Sequence, residues 1–408
     1  MKYAILIGDG MADNPVPELN GKTPLEHAKT PNMDSLASCG ELGLFKTVPD
    51  GFPPGSDVAN LSILGYDPKL YYTGRAPLEA ASIGVKLTGE DVAFRCNLVT
   101  LSEEKGAFIM KDYSAGHIST EEASLIIKTL DDEFSALGVR FYTGKSYRHL
   151  MVWKGGIEGI STTPPHDISD KEVGPYLPKG KGAELLISLV EKSRIMLKDH
   201  PVNHRREREG KNTADSIWLW GQGRAPSMPA FSERFNLRGA IISAVDLMNG
   251  IGVCAGLTII KVPGITGYID TNYAGKAEYA LKALEDKDLV CVHVEAPDEA
   301  GHQGLLKDKI RAIEDFDRIV VGKVMEGIKR FKDYALLVLT DHPTPVALKT
   351  HTRDPVPYLV YRAEASRKEM VVGFSEAAAK KTGILREDPL KFMEGFLGRP
   401  DIRRERRP

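Results

Sequence analysis

Cysteine is scarce in this chain. Its 408 residues hold four, Cys39, Cys96, Cys254 and Cys291, far apart and with no C-x-x-C pair, which argues against a disulfide-stapled secreted scaffold and a cysteine-built zinc site. They read as buried thiols of a reducing compartment. Long apolar runs are missing too. The opening Met1-Lys2-Tyr3-Ala4-Ile5-Leu6-Ile7-Gly8 is too short for a signal peptide and lacks a small-residue cleavage site. No stretch approaches the roughly 20 apolar residues of a membrane span, so a cytoplasmic protein is expected. Net charge is nearly absent, with 54 basic and 56 acidic residues leaving −2, so no global field points to nucleic acid or an anionic membrane as partner. Two local basic runs, His204 to Arg208 and Arg403 to Arg407, read as solvated surface. Internal repeats and low-complexity tracts are absent as well.

What is present is an ordinary globular composition, 42% apolar and 27% charged. The length exceeds what one core usually fills, so two domains are expected, one inserted in the other. Short apolar runs ending in Gly or Asp alternate with helical patterns, which predicts an α/β core with a mostly parallel sheet flanked by helices. The clearest strands are Tyr3 to Ile7, Ser216 to Trp220, Gly239 to Ser243, Leu289 to Val294 and Tyr334 to Leu339. Ile310, Ile313, Phe316, Val320 and Val324 mark a helix by their spacing, and a second is expected from about Ala244 to Ala255. From about Asp91 to Pro178 the texture changes to shorter strand-like runs (Phe94 to Leu101, Val139 to Thr143, His149 to Trp153) around a helix near Thr120 to Leu137. The expected organisation is a core in two parts, 1–90 and 179–408, around a smaller α+β insertion, 91–178. Breaker-rich stretches at Thr162 to Asp167 and Gly174 to Gly180 suit a linker.

In open α/β sheets ligands bind beyond the carboxyl ends of the strands, where loops converge and helix N-termini point at the site. Asp9 follows the first predicted strand, Asp298 follows Leu289 to Val294, and Asp341 with His342 follows Tyr334 to Leu339. His302 lies four residues after Asp298, a spacing that puts both side chains on one face if the segment is helical, and His351 nine after His342. Three carboxylates and three imidazoles are enough for two divalent ions of the Mn or Zn type, whereas calcium would want more oxygen ligands. A single Asp after a strand is often only a helix N-cap, and a single His is usually a surface residue; recurrence at several strand ends is what favours metal. Ser56, after Pro54-Gly55, stands where a helix N-terminus would favour an anion, and a metal can activate its hydroxyl as a nucleophile. The plainer alternative is that Ser56 caps that helix.

Several stretches carry a resemblance: Gly8-Asp9-Gly10-Met11-Ala12-Asp13, Lys29-Thr30-Pro31-Asn32-Met33-Asp34, Pro54-Gly55-Ser56-Asp57, Tyr72-Thr73-Gly74-Arg75-Ala76-Pro77, Trp218-Leu219-Trp220-Gly221-Gln222-Gly223, Glu295-Ala296-Pro297-Asp298-Glu299-Ala300-Gly301-His302 and Thr340-Asp341-His342-Pro343-Thr344-Pro345. Together they resemble the archaeal-type cofactor-independent phosphoglycerate mutases, a branch of the alkaline-phosphatase superfamily. The resemblance implies an alkaline-phosphatase-like core carrying an inserted substrate domain. It implies one ion on Asp298, His302 and His351 and another on Asp9, Ser56, Asp341 and His342, with Mn expected and Zn or Mg as alternatives, and no 2,3-bisphosphoglycerate. Its reaction moves the phosphoryl group of 3-phosphoglycerate to the serine and back to the 2-hydroxyl of the retained glycerate. The substrate is then a small phosphorylated carboxylate, for which arginine forks are suited. Arg75, Arg148 and Arg224 are the candidates, with His117, His149, His166 and Asp167 as acid/base groups facing the site. The same motifs also fit a homoserine kinase-like phosphotransferase, a metal-dependent phosphatase, or a metal-binding protein without activity.

Overall fold

A computed structural model of the chain describes residues 1–363 and 373–398, so the basic tail Arg403 to Arg407 lies outside the described residues. Its strands are β1 (Lys2–Gly8), β2 (Glu41–Phe45), β3 (Val92–Glu104), β4 (Ala107–Asp112), β5 (Val139–Lys145), β6 (Arg148–Trp153), β7 (Ser216–Gly223), β8 (Gly239–Ile242), β9 (Thr258–Ile259), β10 (Leu289–Val294), β11 (Tyr334–Leu339), β12 (Val356–Arg362) and β13 (Leu385–Arg386). The chain divides into two compact units, Met1–Tyr72 with Ser227–Pro408, and Thr73–Pro226.

The first unit is built on an eight-stranded sheet in the order β13-β2-β12-β11-β1-β10-β8-β9. Only β12 runs against its neighbours, β11 on one side and β2 on the other. At the centre, β10 and β11 are buried at every position and β1 at all but Lys2. Strands covered on both faces need apolar side chains at consecutive positions, which is why these three read as unbroken runs in the sequence. One face packs Ala4, Leu6, Val290, Val292, Leu336 and Val338 against helical residues including Ala277, Ala280, Leu284, Phe316 and Val320. The helix expected from Ile310 to Val324 exists, but it contains a π-helical stretch, Phe316–Val321, between α-helical segments. There the buried Asp317 accepts the amide hydrogens of Met33 and Asn32, at 2.7 and 3.2 Å. Because β11, β1, β10 and β8 are adjacent and parallel, their carboxyl ends share one edge.

The second unit is wider than the 91–178 expected for the insertion. Its sheet runs β4-β3-β6-β5, with β7 added beside β3, all antiparallel. β7, the Ser216 to Trp220 run, therefore belongs to this sheet and not to the parallel core. The helix Ala183–Lys198 comes with it: Leu186, Leu189, Val190 and Leu197 share a cluster with Phe94, Cys96, Leu98, Ile217 and Leu219. The stretches expected as linkers fold back on the same unit, with a bridge between Ser161 and Lys179 and the Trp218 indole donating to the Thr163 carbonyl. The two ends of the unit are side by side. Thr73 Oγ1 donates to the Arg224 carbonyl at 2.6 Å, and a Cβ on Gly74 would strike the Gln222 carbonyl, so that glycine permits the close approach. One member of the His204 to Arg208 run is not surface: Arg206 is buried and donates to Glu122, to the Ala115 carbonyl and to the Asn212 carbonyl. Of the cysteines, Cys96 and Cys291 are buried, while Cys39 and Cys254 are partly exposed. No helix among the described residues is long and apolar enough to cross a membrane.

Candidate metal centre

All the residues expected as metal ligands come from the first unit, and its shared strand edge brings them together. Asp9 leaves β1, Asp298 and His302 sit one turn apart on the helix Ala296–Gln303 after β10, Asp341 and His342 leave β11, and His351 comes from the loop before β12. Asp9, Asp298, Asp341 and His342 are buried. His342 Nε2 lies 3.5 Å from both Asp9 Oδ1 and Asp341 Oδ2. Asp298 faces the other two imidazoles, at 3.3 Å from His302 Nε2 and 3.5 Å from His351 Nε2.

The hydrogen bonds behind the rings fix what they present. The Nδ1 atoms of His302 and His351 lie 3.0 and 3.4 Å from the carbonyls of Lys349 and Pro54, and a carbonyl can only accept. His342 Nδ1 is 3.2 Å from Thr344 Oγ1, which spends its own hydrogen on Asp298. Each ring thus carries its proton on Nδ1 and turns the Nε2 lone pair inward, the arrangement that outer hydrogen bonds give to metal-binding histidine. His302 Nε2 and His351 Nε2 approach to 2.8 Å, which two lone pairs do not do without a cation or proton between them.

Electrostatics agrees. Burial, then the charges of Asp341 and Asp298, raise the Asp9 carboxyl well above the usual range, since three carboxylates so close cannot all ionise unaided. Burial opposes charge on His302, but the hydrogen bond and charge of Asp298 push it up to about 9, so that a proton is held where a cation would sit. Burial lowers His342 to about 4, leaving its lone pair available. Asp9 Oδ1 is buried with no hydrogen-bond partner. These donors fit divalent ions of the Mn or Zn type.

Ser56 is the first residue of the helix Ser56–Ile63, and the N-cap is Gly55, so the capping alternative does not describe its hydroxyl. Ser56 Oγ points instead to His342 Nε2, at 3.0 Å. Asn60, one turn later, donates to the Ser56 carbonyl and to Asp341 Oδ2, tying this helix to the carboxylates.

Sequence reasoning missed two groups here. His293 lies in β10 at 3.3 Å from Asp9 Oδ2, and its only signal was a polar residue in the run Leu289-Val290-Cys291-Val292-His293-Val294. The second is a latch beneath the loops. The fully buried Lys309 ammonium donates to Asp13 Oδ2 at 2.7 Å and to the carbonyls of Ala12 and Thr344, joining the loop after β1 to the loop after β11. Glu376 closes the latch by accepting from the Asp13 amide and Thr23 Oγ1. Burial pushes the Glu376 carboxyl up from 4.5 to about 7. The folded chain therefore binds more protons than the unfolded one between those values, and this group's contribution to stability falls as pH rises through that window. Glu376→Gln is expected to match the wild type near pH 4.5 and to exceed it above pH 7 by on the order of 1 kcal/mol, discounted for partial exposure. Denaturant titrations of both proteins at the two pH values read that difference.

The substrate candidates all fall in the second unit. His166 meets the Trp220 ring edge-on with centroids 5.3 Å apart, and His117 meets Tyr147 at 5.7 Å. Arg148 lies over Tyr147, and the buried Arg95 over Trp220 while pairing with Glu79. Asp167 is exposed beside His166, and Arg75 opens the helix Arg75–Ser82. Two candidates are placed otherwise than expected. His149 is buried in β6, where strand alternation puts it on the helix-covered face with Met151, and desolvation lowers it to about 3. Arg224 is spent on the unit's own frame, donating to the carbonyls of Gly89 and Gly156 and pairing with Glu158.

Comparison with known proteins gives a consistent picture. Residues 37–203 match the family model described as 2,3-bisphosphoglycerate-independent phosphoglycerate mutase. The chain is 55% identical to a probable 2,3-bisphosphoglycerate-independent phosphoglycerate mutase of Geobacter sulfurreducens, over 98% of this chain and 100% of that one. It is 57% identical to the enzyme so named from Methanosarcina acetivorans, over 93% and 95%. Among solved structures, a Pyrococcus horikoshii protein superposes with a TM-score of 0.82 at 31% identity, covering 100% of this chain and 99% of that one. The cofactor-independent phosphoglycerate mutase of Thermoplasma acidophilum does so at 0.65 and 26%, covering 98% and 99%.

Proposed function

Because the chain belongs to the 2,3-bisphosphoglycerate-independent phosphoglycerate mutase family, we propose that it interconverts 3- and 2-phosphoglycerate through a phosphoserine at Ser56, without bisphosphoglycerate. The observation that carries this reading is Ser56 Oγ at 3.0 Å from His342 Nε2, on the edge where three strand-end carboxylates meet. Asp9, Ser56, Asp341 and His342 would hold one divalent ion, and Asp298, His302 and His351 the other. When bound, such ions supply positive charge that favours a serine alkoxide and steadies the phosphoryl oxygens.

The remaining work falls to side chains. Ser56 Oγ gives up its proton and attacks phosphorus, the bond to the glycerate oxygen breaks, and that oxygen takes up a proton in exchange. In the return step the other hydroxyl of the same glycerate loses its proton and attacks phosphorus, the bond to Ser56 Oγ breaks, and Ser56 Oγ regains a proton. The first helical turn gives the incoming group a positive dipole end, and Asn60 keeps that turn fixed to Asp341. Thr344 and the carbonyls of Lys349 and Pro54 hold the imidazole tautomers. We further propose that the unit Thr73–Pro226 recognises the substrate, since Arg148, His117 and His166 lie on aromatic rings there and suit a small anion.

The test is to incubate the purified chain and a divalent ion with 3-phosphoglycerate, without bisphosphoglycerate or ATP, and follow 2-phosphoglycerate and free phosphate separately by phosphorus NMR. Formation of 2-phosphoglycerate with little free phosphate is the expected result. Free phosphate as the main product would overturn it in favour of hydrolysis, and inertness together with ATP-dependent phosphorylation of homoserine in favour of a kinase.

A further inference from the structure

β10 is apolar except at one position. His293 is fully buried and shares its strand face with Leu289 and Cys291, so a hydrocarbon side chain would satisfy packing there. A buried imidazole instead brings two nitrogens that need partners, and leaving one unpaired is costly. Its Nδ1 is 3.4 Å from Ser243 Oγ, the residue that follows β8, and that oxygen accepts the Val245 amide. Its Nε2 makes no hydrogen bond, yet Asp9 Oδ2 is only 3.3 Å away. The neighbouring cation does not fill this place, because the Lys276 ammonium donates to the backbone carbonyl of His293, at 2.6 Å.

The pattern matches the other three rings of the centre. Each has Nδ1 beside an oxygen and Nε2 turned to a carboxylate, and His293 repeats it at Asp9 Oδ2, the partner of the oxygen that His342 faces. Ligand atoms of Asp9, His293 and Asp341 all lie within 4.8 Å of one another, close enough to surround one ion. We infer that His293 is a metal ligand, adding its Nε2 to the Asp9 and Asp341 carboxylates around the ion on the Ser56 side. This assignment rests on the two-ion reading above and deepens it. It gives that ion one more protein donor, and an imidazole donor at that, so the site should favour Mn, Co or Zn over Mg or Ca. Ser243 is then a positioning residue that sets the tautomer of the ring.

The competing account is that His293 merely donates a hydrogen bond to Asp9 through Nε2. His293→Gln separates the two, since the Gln amide nitrogen reaches the Nε2 position and keeps a donor but is a poor substitute for an imidazole lone pair. The full-length chain is stripped, titrated with Co(II), and read by calorimetry for the dissociation constants and by visible absorption for the ligand field. Wild type should hold two ions; His293→Gln should keep one unchanged, weaken the other at least about tenfold, and alter its d–d bands. Both ions bound with wild-type affinity and spectrum in His293→Gln would overturn the assignment. If that variant does not fold, Ser243→Ala replaces it, with several-fold weakening of one ion expected and unchanged affinities overturning. A wild-type chain that holds no ion overturns the two-ion reading itself, and is told apart because no variant is needed to see it.

Discussion

Ser56→Ala is expected to lower kcat by more than about three powers of ten, since a covalent route is removed outright, while the melting temperature moves by no more than a degree or two. The stability half of that expectation follows from the local structure. Gly55 caps the helix Ser56–Ile63, Asn60 bonds the Ser56 carbonyl and not its hydroxyl, and the hydroxyl's one described contact is His342 Nε2. Alanine is also the best helix former, so the first turn is not weakened. Mass spectrometry of the wild type quenched during turnover should find a phosphate on Ser56, and none in the variant. Retention of more than about a tenth of the wild-type rate would take Ser56 out of the mechanism.

Removal of divalent ions is the second large effect. Exhaustive chelation is expected to abolish activity, with Mn restoring it, and to lower stability by about 3–4 kcal/mol relative to the protein at 100 to 1,000 times the dissociation constant. The carboxylates of Asp9, Asp298 and Asp341 lose their counter-charge, and the inward lone pairs of His302 and His351 lose their acceptor. Asp341→Ala should resemble chelation more than any arginine substitution would. Asp341 also accepts from the amides of Gly10 and His342 and from Asn60, so its loss loosens the loops after β1 and β11 and the nucleophile helix together. Activity undiminished after chelation, with residual metal measured near zero, would refute this.

Much of this was legible in the sequence, and for physical reasons. β1, β10 and β11 are covered on both faces, so their burial had to be written as continuous apolar runs. Once those strands were placed, the rule that ligands gather at carboxyl ends picked out Asp9, Asp298, Asp341 and His342 with no knowledge of packing. β12 was not legible: Pro357 near its start removes a ladder donor and reads as a break, although the strand sits between β11 and β2. The limits of the inserted unit were hidden because the β3–β7 pairing joins residues more than a hundred positions apart, for which no local pattern exists. The π-helical stretch was invisible for a similar reason, since its buried Asp317 serves the amides of Asn32 and Met33, nearly three hundred residues away. His293 was passed over because a single imidazole in an apolar strand is indistinguishable by period from a packed residue, and only its distance to Asp9 gives it meaning.

The placement of β1 at the middle of the sheet has a consequence for how the chain must be made. Its two neighbours, β10 and β11, begin at Leu289 and Tyr334. A ribosome adding about 5–20 residues each second leaves on the order of tens of seconds between releasing β1 and releasing the strands that flank it. Throughout that interval the nascent chain carries one of its most apolar segments with neither partner yet synthesised. The unit Thr73–Pro226 is under no such delay, being contiguous and joined at its own two ends by the Thr73–Arg224 bond. Translation thus completes the unit Thr73–Pro226 first, and the sheet of the other unit can close around β1 only after Tyr334–Leu339 has been made.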